Sequence, residues 1–409
     1  GFFDENSQWQ KHLSLLKQGI GKTAKPERLS PKTAKALYGK NIFSSVSRLE
    51  RFAGCPFSFF AEYGLKAEER RLYQLNTPDL GSLFHEVLEL FSNKLEQDSL
   101  PWTSLTKEET TARIHAAVED AAPRLGNRIL LDSAANQYLI RRLKRISTRA
   151  AWTLVQHLQQ GDFVPAGYEV GFGAHEALPP IVIRLQDGGS LILNGKIDRV
   201  DLLDANGTRY VKIIDYKSGN KTFHFQDIYY GLQLQLLVYL DAYLKYYKKT
   251  GASFKPGGVF YFRITDPTLA LDEELSAEAI EKILYEKMRM SGLLLQEDVL
   301  IHGLDAIVPV GYTKKGNPTA ASNLATEEQY AAILDFVATR TQEIGDAMKA
   351  GIITPAPYRD GQRTPCSYCS YRSLCRHSYG EAPRWRKLKK IDKADFWESI
   401  TPKQPPETE

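Results

Sequence analysis

The stretch GKIDRVDLLDANGTRYVKIIDYKSG, residues 195–219, decides the fold. Asn206-Gly207 marks a two-residue hairpin turn, because both central positions of that turn need φ > 0. The flanking segments read as strands. With Asn206 and Gly207 as the turn, Ala205 pairs with Thr208, and counting outward sets Asp198 opposite Asp215 and Lys196 opposite Lys217. Residues two apart share a face, so Lys196, Asp198, Asp215 and Lys217 form one patch. Directly opposed carboxylates have Cβ atoms about 4.5–5.5 Å apart and repel. A hard divalent cation between them removes the repulsion and uses both carboxylates. The alternative is a solvated charge ladder, with Asp198 bonded diagonally to Lys217 and Asp215 to Lys196. The apolar run VKII before Asp215 argues against it, since the charges then end a buried strand.

Outward from the hairpin, YEVGFG and IVIRL precede it as strands, its first strand is read through LILNGKIDRVDLL (191–203), and VFYFRI (259–264) follows it. IYYGLQLQLLVYLDAYLKYY (228–247) reads as one long buried helix, on which Gln235 and Tyr239, four apart, share a face. TPDLGSLFHEVLELFSNKLEQ (77–97) is an amphipathic helix: Leu80, Phe84, Val87, Leu88 and Phe91 keep one apolar face, and His85 sits among them. Residues 44–65 are helical with an interruption near Pro56; 107–160 form two helices broken near Pro123 and Gly126; further helices lie near 275–291 and 326–350. The expected domains are a leader or inter-domain linker at 1–40, a main α/β domain at 41–380, and a poorly ordered, polar, basic tail at 381–409.

Composition narrows the class. Hydrophobic residues at 43% and charged residues at 25% are ordinary for a soluble globular protein, and a net charge of +4 permits a nucleic-acid partner without indicating one. The N-terminal GFFDENSQWQ lacks the pattern of a secretory signal, and no apolar run approaches the roughly 18–20 residues of a membrane span. A cytoplasmic protein is expected. Starting at Gly1 fits a fragment or a processed product. GIGKT (19–23) is similar to the end of an ATP-binding phosphate loop, but Leu16 stands where that motif needs glycine and no strand precedes it.

There are four cysteines: Cys55, and Cys366, Cys369 and Cys375 in CSYCSYRSLC. In a reducing compartment such clustering suggests metal rather than disulfides. Four thiolates suit Zn²⁺ or an iron–sulfur cluster equally by charge. Either would tie the first helical unit to the end of the domain across more than three hundred residues.

The ordered set of His85 in GSLFHEVLE, Asp198 in GKIDRVD, Asp215 and Lys217 in DYKSG, and Gln235 with Tyr239 in QLLVY resembles the motifs of RecB-family nucleases, of the PD-(D/E)xK superfamily. The resemblance spans roughly 44–378. It implies a restriction-endonuclease-like α/β fold, a mixed central sheet flanked by helices. It implies hydrolysis of DNA with Asp198, Asp215 and His85 as ligands of Mg²⁺ (Mn²⁺ being acceptable), Lys217 at the reacting water, and Gln235 and Tyr239 supporting that lysine and the DNA backbone. One distant cysteine plus three near the C-terminus resembles the iron–sulfur staple of certain RecB-type nucleases, which implies a [4Fe–4S] cluster on Cys55, Cys366, Cys369 and Cys375. It further implies double-strand-break processing, exonuclease action on the 5′-terminated strand, and an AddA-like helicase–nuclease subunit as heterodimer partner. A non-catalytic DNA-binding scaffold, a stand-alone exonuclease of CRISPR adaptation and a zinc-stapled interaction module are the competing classes. Basic segments RRLKR (141–145) and RWRKLKK (384–390), and Arg363, Arg372, Arg376 and His377, are candidate phosphate contacts.

Overall fold

The computed structural model describes residues 10, 12–15, 28–68, 77–124, 134–269, 275–304, 307, 308, 310, 311, 313, 318, 319, 322–375 and 385–401. The phosphate-loop-like stretch 19–23, Arg376 and His377 lie outside them. In chain order the principal elements are α1 (Pro31–Tyr38), β1 (Asn41–Ser44), α2 (Val46–Gly54), α3 (Thr77–Gln97), α4 (Lys107–Ala121), α5 (Ala134–Gln159), β2 (Val164–Phe172), β3 (Ile181–Arg184), β4 (Ser190–Leu193), β5 (Gly195–Ala205), β6 (Thr208–Lys217), α6 (Gln235–Lys249), β7 (Phe254–Arg263), β8 (Ser291–Leu295), β9 (Leu324–Ala325), α7 (Glu327–Lys349), β10 (Tyr358–Arg359), β11 (Arg386–Lys387) and α8 (Lys393–Ile400).

The central sheet has the order β2-β5-β6-β7-β8-β9. It is mixed: β2/β5, β5/β6 and β7/β8 are antiparallel, β6/β7 and β8/β9 parallel. A parallel pair needs a long crossover, which α6 supplies between β6 and β7. Helices α3, α4 and α5 pack on one another, with α3 against β2, while α6 covers β6 and β7. The expected α/β architecture is therefore present. Covering on both faces explains why β6 is buried without interruption from Tyr210 to Tyr216.

The hairpin forms as read. Asn206 and Gly207 have φ of 51° and 75°, and the register runs from Ala205↔Thr208 to Arg199↔Ile214. Beyond that pair the ladder stops: the Asp198 carboxylate accepts the Tyr216 N–H at 2.6 Å. On the opposite face lies a charged cluster that alternation alone would have placed in solvent. Lys212 Nζ meets Asp201 at 2.9 Å, Arg199 Nε meets Asp201 at 2.6 Å, and all three residues are buried. Arg199 also lies 5.0 Å from the Trp102 ring centroid. Paired in this way, the charges are tolerated under the helices, with only Arg199 Nη1 of the guanidinium left without a hydrogen-bond partner.

Three elements differ from the sequence reading. The strand expected through 191–203 breaks at Asn194, and β4 joins a separate sheet of order β1-β4-β3. The helix expected from 228 begins at Gln235, because Gly231 at φ 73° reverses the chain, packed against Ile344 and Ala53. A side chain there would be both strained and crowded. The C-terminal segment is docked rather than loose: β11 pairs with β10, and Phe396 is fully buried, 5.1 Å from the Phe225 ring. Among the described residues, no helix is long and apolar enough to cross a membrane.

Candidate active site

The site forms where the hairpin opens. Strand β5 delivers Asp198, β6 delivers Asp215 and Lys217, α3 delivers His85, and α6 delivers Gln235 and Tyr239. All six residues expected from the sequence converge. His85 Nδ1 lies 3.5 Å from Asp198 Oδ1, and its Nε2 lies 3.0 Å from the Tyr216 carbonyl oxygen. A carbonyl only accepts, so Nε2 carries a proton and the Nδ1 side faces the carboxylates. Metal-binding histidines are oriented in this way.

A residue that sequence reasoning missed completes the group. Glu169 Oε1 lies 3.9 Å from His85 Nδ1, and donor atoms of His85, Glu169 and Asp198 all fall within 4.8 Å of one another. Glu169 sits between Tyr168, opposite Arg199, and Val170, opposite Ile197, so it lies across β2 from Asp198. Its φ of 46° is left-handed, which a non-glycine residue adopts at a cost of about 1–3 kcal/mol, typically at functional positions. Pairing β2 with β5 in the sequence would have brought it into view. Lys196 leans toward Glu169, 3.9 Å from Oε2, rather than joining Asp215 as the charge-ladder alternative requires.

Asp215 is buried, and neither carboxylate oxygen has a hydrogen-bond partner; Oδ2 is ion-paired with Lys217. Burial first, then the Asp198 charge, pushes its carboxyl up to about 7. At His85 burial opposes the charged form, but Asp198 and Glu169 outweigh it and hold the imidazolium up to about 10. Lys217 behaves likewise: burial works against its charge, Asp215 restores it, and the net shift is upward. Lys217 Nζ donates to Gln235 Oε1 at 3.3 Å, and Gln235 Nε2 donates to Tyr239 Oη at 3.2 Å. Of the site residues, His85 and Glu169 line an open cleft, together with Gly81, Ser82, Glu89 and Ser218.

Carboxylates plus one imidazole suit Mg²⁺ or Mn²⁺, and Asp215, whose oxygens accept no hydrogen bond and whose one ion-pair partner is Lys217, has an oxygen to offer a cation. Glu169→Gln is expected to weaken Mn²⁺ binding roughly 10–100-fold, the range seen even for groups that only support ligands. Calorimetric titration measures it, and an unchanged affinity removes Glu169 from the donor set.

The cysteines are neighbours in space, but among the described residues their sulfurs do not draw together as closely as the donor atoms of His85, Glu169 and Asp198. All four are free; Cys55 is buried at the end of α2, and Cys366, Cys369 and Cys375 are partly exposed. Burial pushes the Cys55 thiol up to about 11, with Cys366 and Cys369 near enough to add to the effect. Cys369 Sγ is 4.0 Å from Ser58 Oγ, and Arg386 Nη2 donates to the Gly54 carbonyl at 3.3 Å beside Cys55. Thiols are the donor type that zinc and iron–sulfur centres share.

Some of the basic candidates are engaged within the protein. Arg363 is bidentate to Asp227 at 2.7 and 2.6 Å; Lys144 pairs with Glu119, and Arg145 with Asp266. Arg372 is exposed.

A family model described as the PD-(D/E)XK nuclease superfamily matches residues 44–376, and the chain belongs to that superfamily. Among its relatives is the B-type component of an ATP-dependent helicase/deoxyribonuclease from Alkaliphilus oremlandii, 40% identical over 98% of this chain and 36% of its own length. The component of the same name from Alkaliphilus metalliredigens is 42% identical over 91% of this chain and 33% of its own length. The chain thus spans about a third of the length of the curated relatives it matches.

Proposed function

We propose that this chain is a metal-dependent deoxyribonuclease, the nuclease portion of an AddB-type component of a helicase–nuclease. It works with DNA and an AddA-like partner in double-strand-break processing and recombinational repair, as an exonuclease on the 5′-terminated strand. The observation that carries the reading is the grouping of donor atoms of His85, Glu169 and Asp198 within 4.8 Å of one another, with the buried Asp215–Lys217 ion pair beside Asp198. His85, Glu169, Asp198 and Asp215 would hold Mg²⁺, with Mn²⁺ as a substitute. When bound, the ion supplies positive charge beside the phosphate and acidifies nearby water. Lys217 orients the attacking water or offsets charge on the phosphate oxygens. Tyr239 takes a hydrogen bond from the Gln235 amide nitrogen, which leaves the amide oxygen turned to Lys217. A [4Fe–4S] cluster on Cys55, Cys366, Cys369 and Cys375 closes the domain and takes no part in the chemistry.

End-labelled single- and double-stranded DNA, incubated with the protein in Mg²⁺, Mn²⁺ or chelator, tests the reading. Metal-dependent release of 5′-terminal products is expected. No cleavage by the chain or by its full assembly in either metal would leave a DNA-binding scaffold.

A further inference from the structure

Helix α6 opens at Gln235 with Leu234 at its N-cap, and no side chain of its own caps it. Leucine has no side-chain oxygen, so the first amides of the helix need an acceptor from elsewhere. Glu50, in the middle of α2, supplies it. Its Oε1 accepts the Leu234 N–H at 2.8 Å and the Gln235 N–H at 3.1 Å, and its Oε2 meets Lys221 Nζ at 3.3 Å. The residue held in this way is the one whose side-chain oxygen takes the Lys217 ammonium.

We propose that Glu50 is a positioning residue for the nuclease reaction: it holds the first turn of α6, thereby fixes Gln235, and through Gln235 aims Lys217 beside Asp215. The proposal rests on Lys217 having the role assigned above. Three features make Glu50 suited to it. A carboxylate at a helix N-terminus is favoured by the helix dipole, and its bonds to backbone N–H groups are charge-assisted. Its side chain is only 14% exposed, so the bonds act with little screening. It also stands on a rigid base: Val46, Leu49, Phe52 and Ala53 of α2 are buried, and the helix runs directly into Cys55. A lysine side chain is long and freely rotating, and misplacing a reacting group by about 1 Å can cost about 10²-fold in rate. The anchored carboxylate removes that freedom from a distance, without touching substrate.

Single-turnover cleavage by the full chain in saturating Mg²⁺ tests this. Glu50→Ala is expected to lower kcat about 10–100-fold while KM for DNA changes less than about twofold. Glu50→Gln, which keeps an acceptor oxygen for both amides, is expected to recover most of the loss. Gln235→Ala should show a similar defect, and adding Glu50→Ala to it should cost less than about a further twofold, because both changes break one chain of contacts. Unchanged kcat per folded molecule in Glu50→Ala, with only a lower unfolding midpoint, overturns the proposal and leaves Glu50 as a structural cap. So does a defect that multiplies with that of Gln235→Ala. If Lys217→Ala is inactive while Glu50→Ala cuts normally, the relay alone is wrong; if Lys217→Ala also cuts normally, the catalytic reading falls with it.

Discussion

Asp215→Ala is expected to lower DNA cleavage by about 10³-fold or more, the order supplied by preorganised charge at a reaction centre, while the protein stays folded. The carboxylate sits on a central strand, opposite Tyr261 of β7, and is 1% exposed. It has no hydrogen-bond partner, and both burial and Asp198 disfavour its charge. Such a group is retained for its chemistry rather than for stability. DNA binding should survive, because phosphate contacts elsewhere supply most affinity. A variant that cuts as fast as wild type returns the hairpin patch to a charge cluster of no catalytic consequence.

The same carboxylate leaves a signature in stability. Its folded-state pKa, about 7, lies above the ordinary aspartate value. Between roughly pH 4 and 7 the native state therefore holds this proton more tightly than the unfolded chain. Stability from this group is full at the acid end of that window and is lost as pH rises through it. Urea unfolding in chelator should thus show wild type losing ground to Asp215→Asn from about pH 4 to 7, then running level. A difference that stays constant with pH would mean that the carboxylate ionises normally.

How much of this was legible depended on range. Asn206-Gly207 states its own turn chemistry, and once the turn is placed Asp198 and Asp215 follow by counting. His85 stands out as a polar residue on an apolar helix face. Glu169 and Glu50 were not legible. Glu169 counts only because β2 pairs with β5 and one residue there turns left-handed. Glu50 counts only because α2 lies against the start of α6, 184 residues further along the chain at Leu234. Periodicity reports which face is buried, not what it is buried against. The same limit explains the C-terminal segment: ADFWES reads as polar, yet its two aromatics, Phe396 and Trp397, are buried and hold the segment down. Arg199 and Lys212 mislead in the opposite direction, since Asp201 makes their burial tolerable.

Removing the cysteine staple is expected to have the largest effect on stability. Ser58 and Cys369, in contact beside the four cysteines, are 311 residues apart. In chain-entropy terms, closing a loop of about 100 residues is worth about 4.7 kcal/mol, and longer loops add only slowly. Other contacts already hold the same ends together. Tyr371 Oη donates to the Ala67 carbonyl at 3.0 Å, and Arg386 reaches Gly54. Losing the cluster should therefore cost somewhat less, about 3–4 kcal/mol. Cys55→Ser and Cys369→Ser should cost nearly the same, because either opens the same loop, although one cysteine is buried and the other partly exposed. Packing alone would make Cys55→Ser much the worse. Urea unfolding of the two variants separates these outcomes. Anaerobically purified wild type should carry roughly four irons per chain and absorb near about 400 nm, as a four-cysteine [4Fe–4S] centre requires. Stoichiometric zinc without iron would replace the cluster and keep the staple. Wild-type stability in both variants would remove the staple itself, and the hold on α2 would then come from its apolar face and from contacts such as that of Arg386 with Gly54.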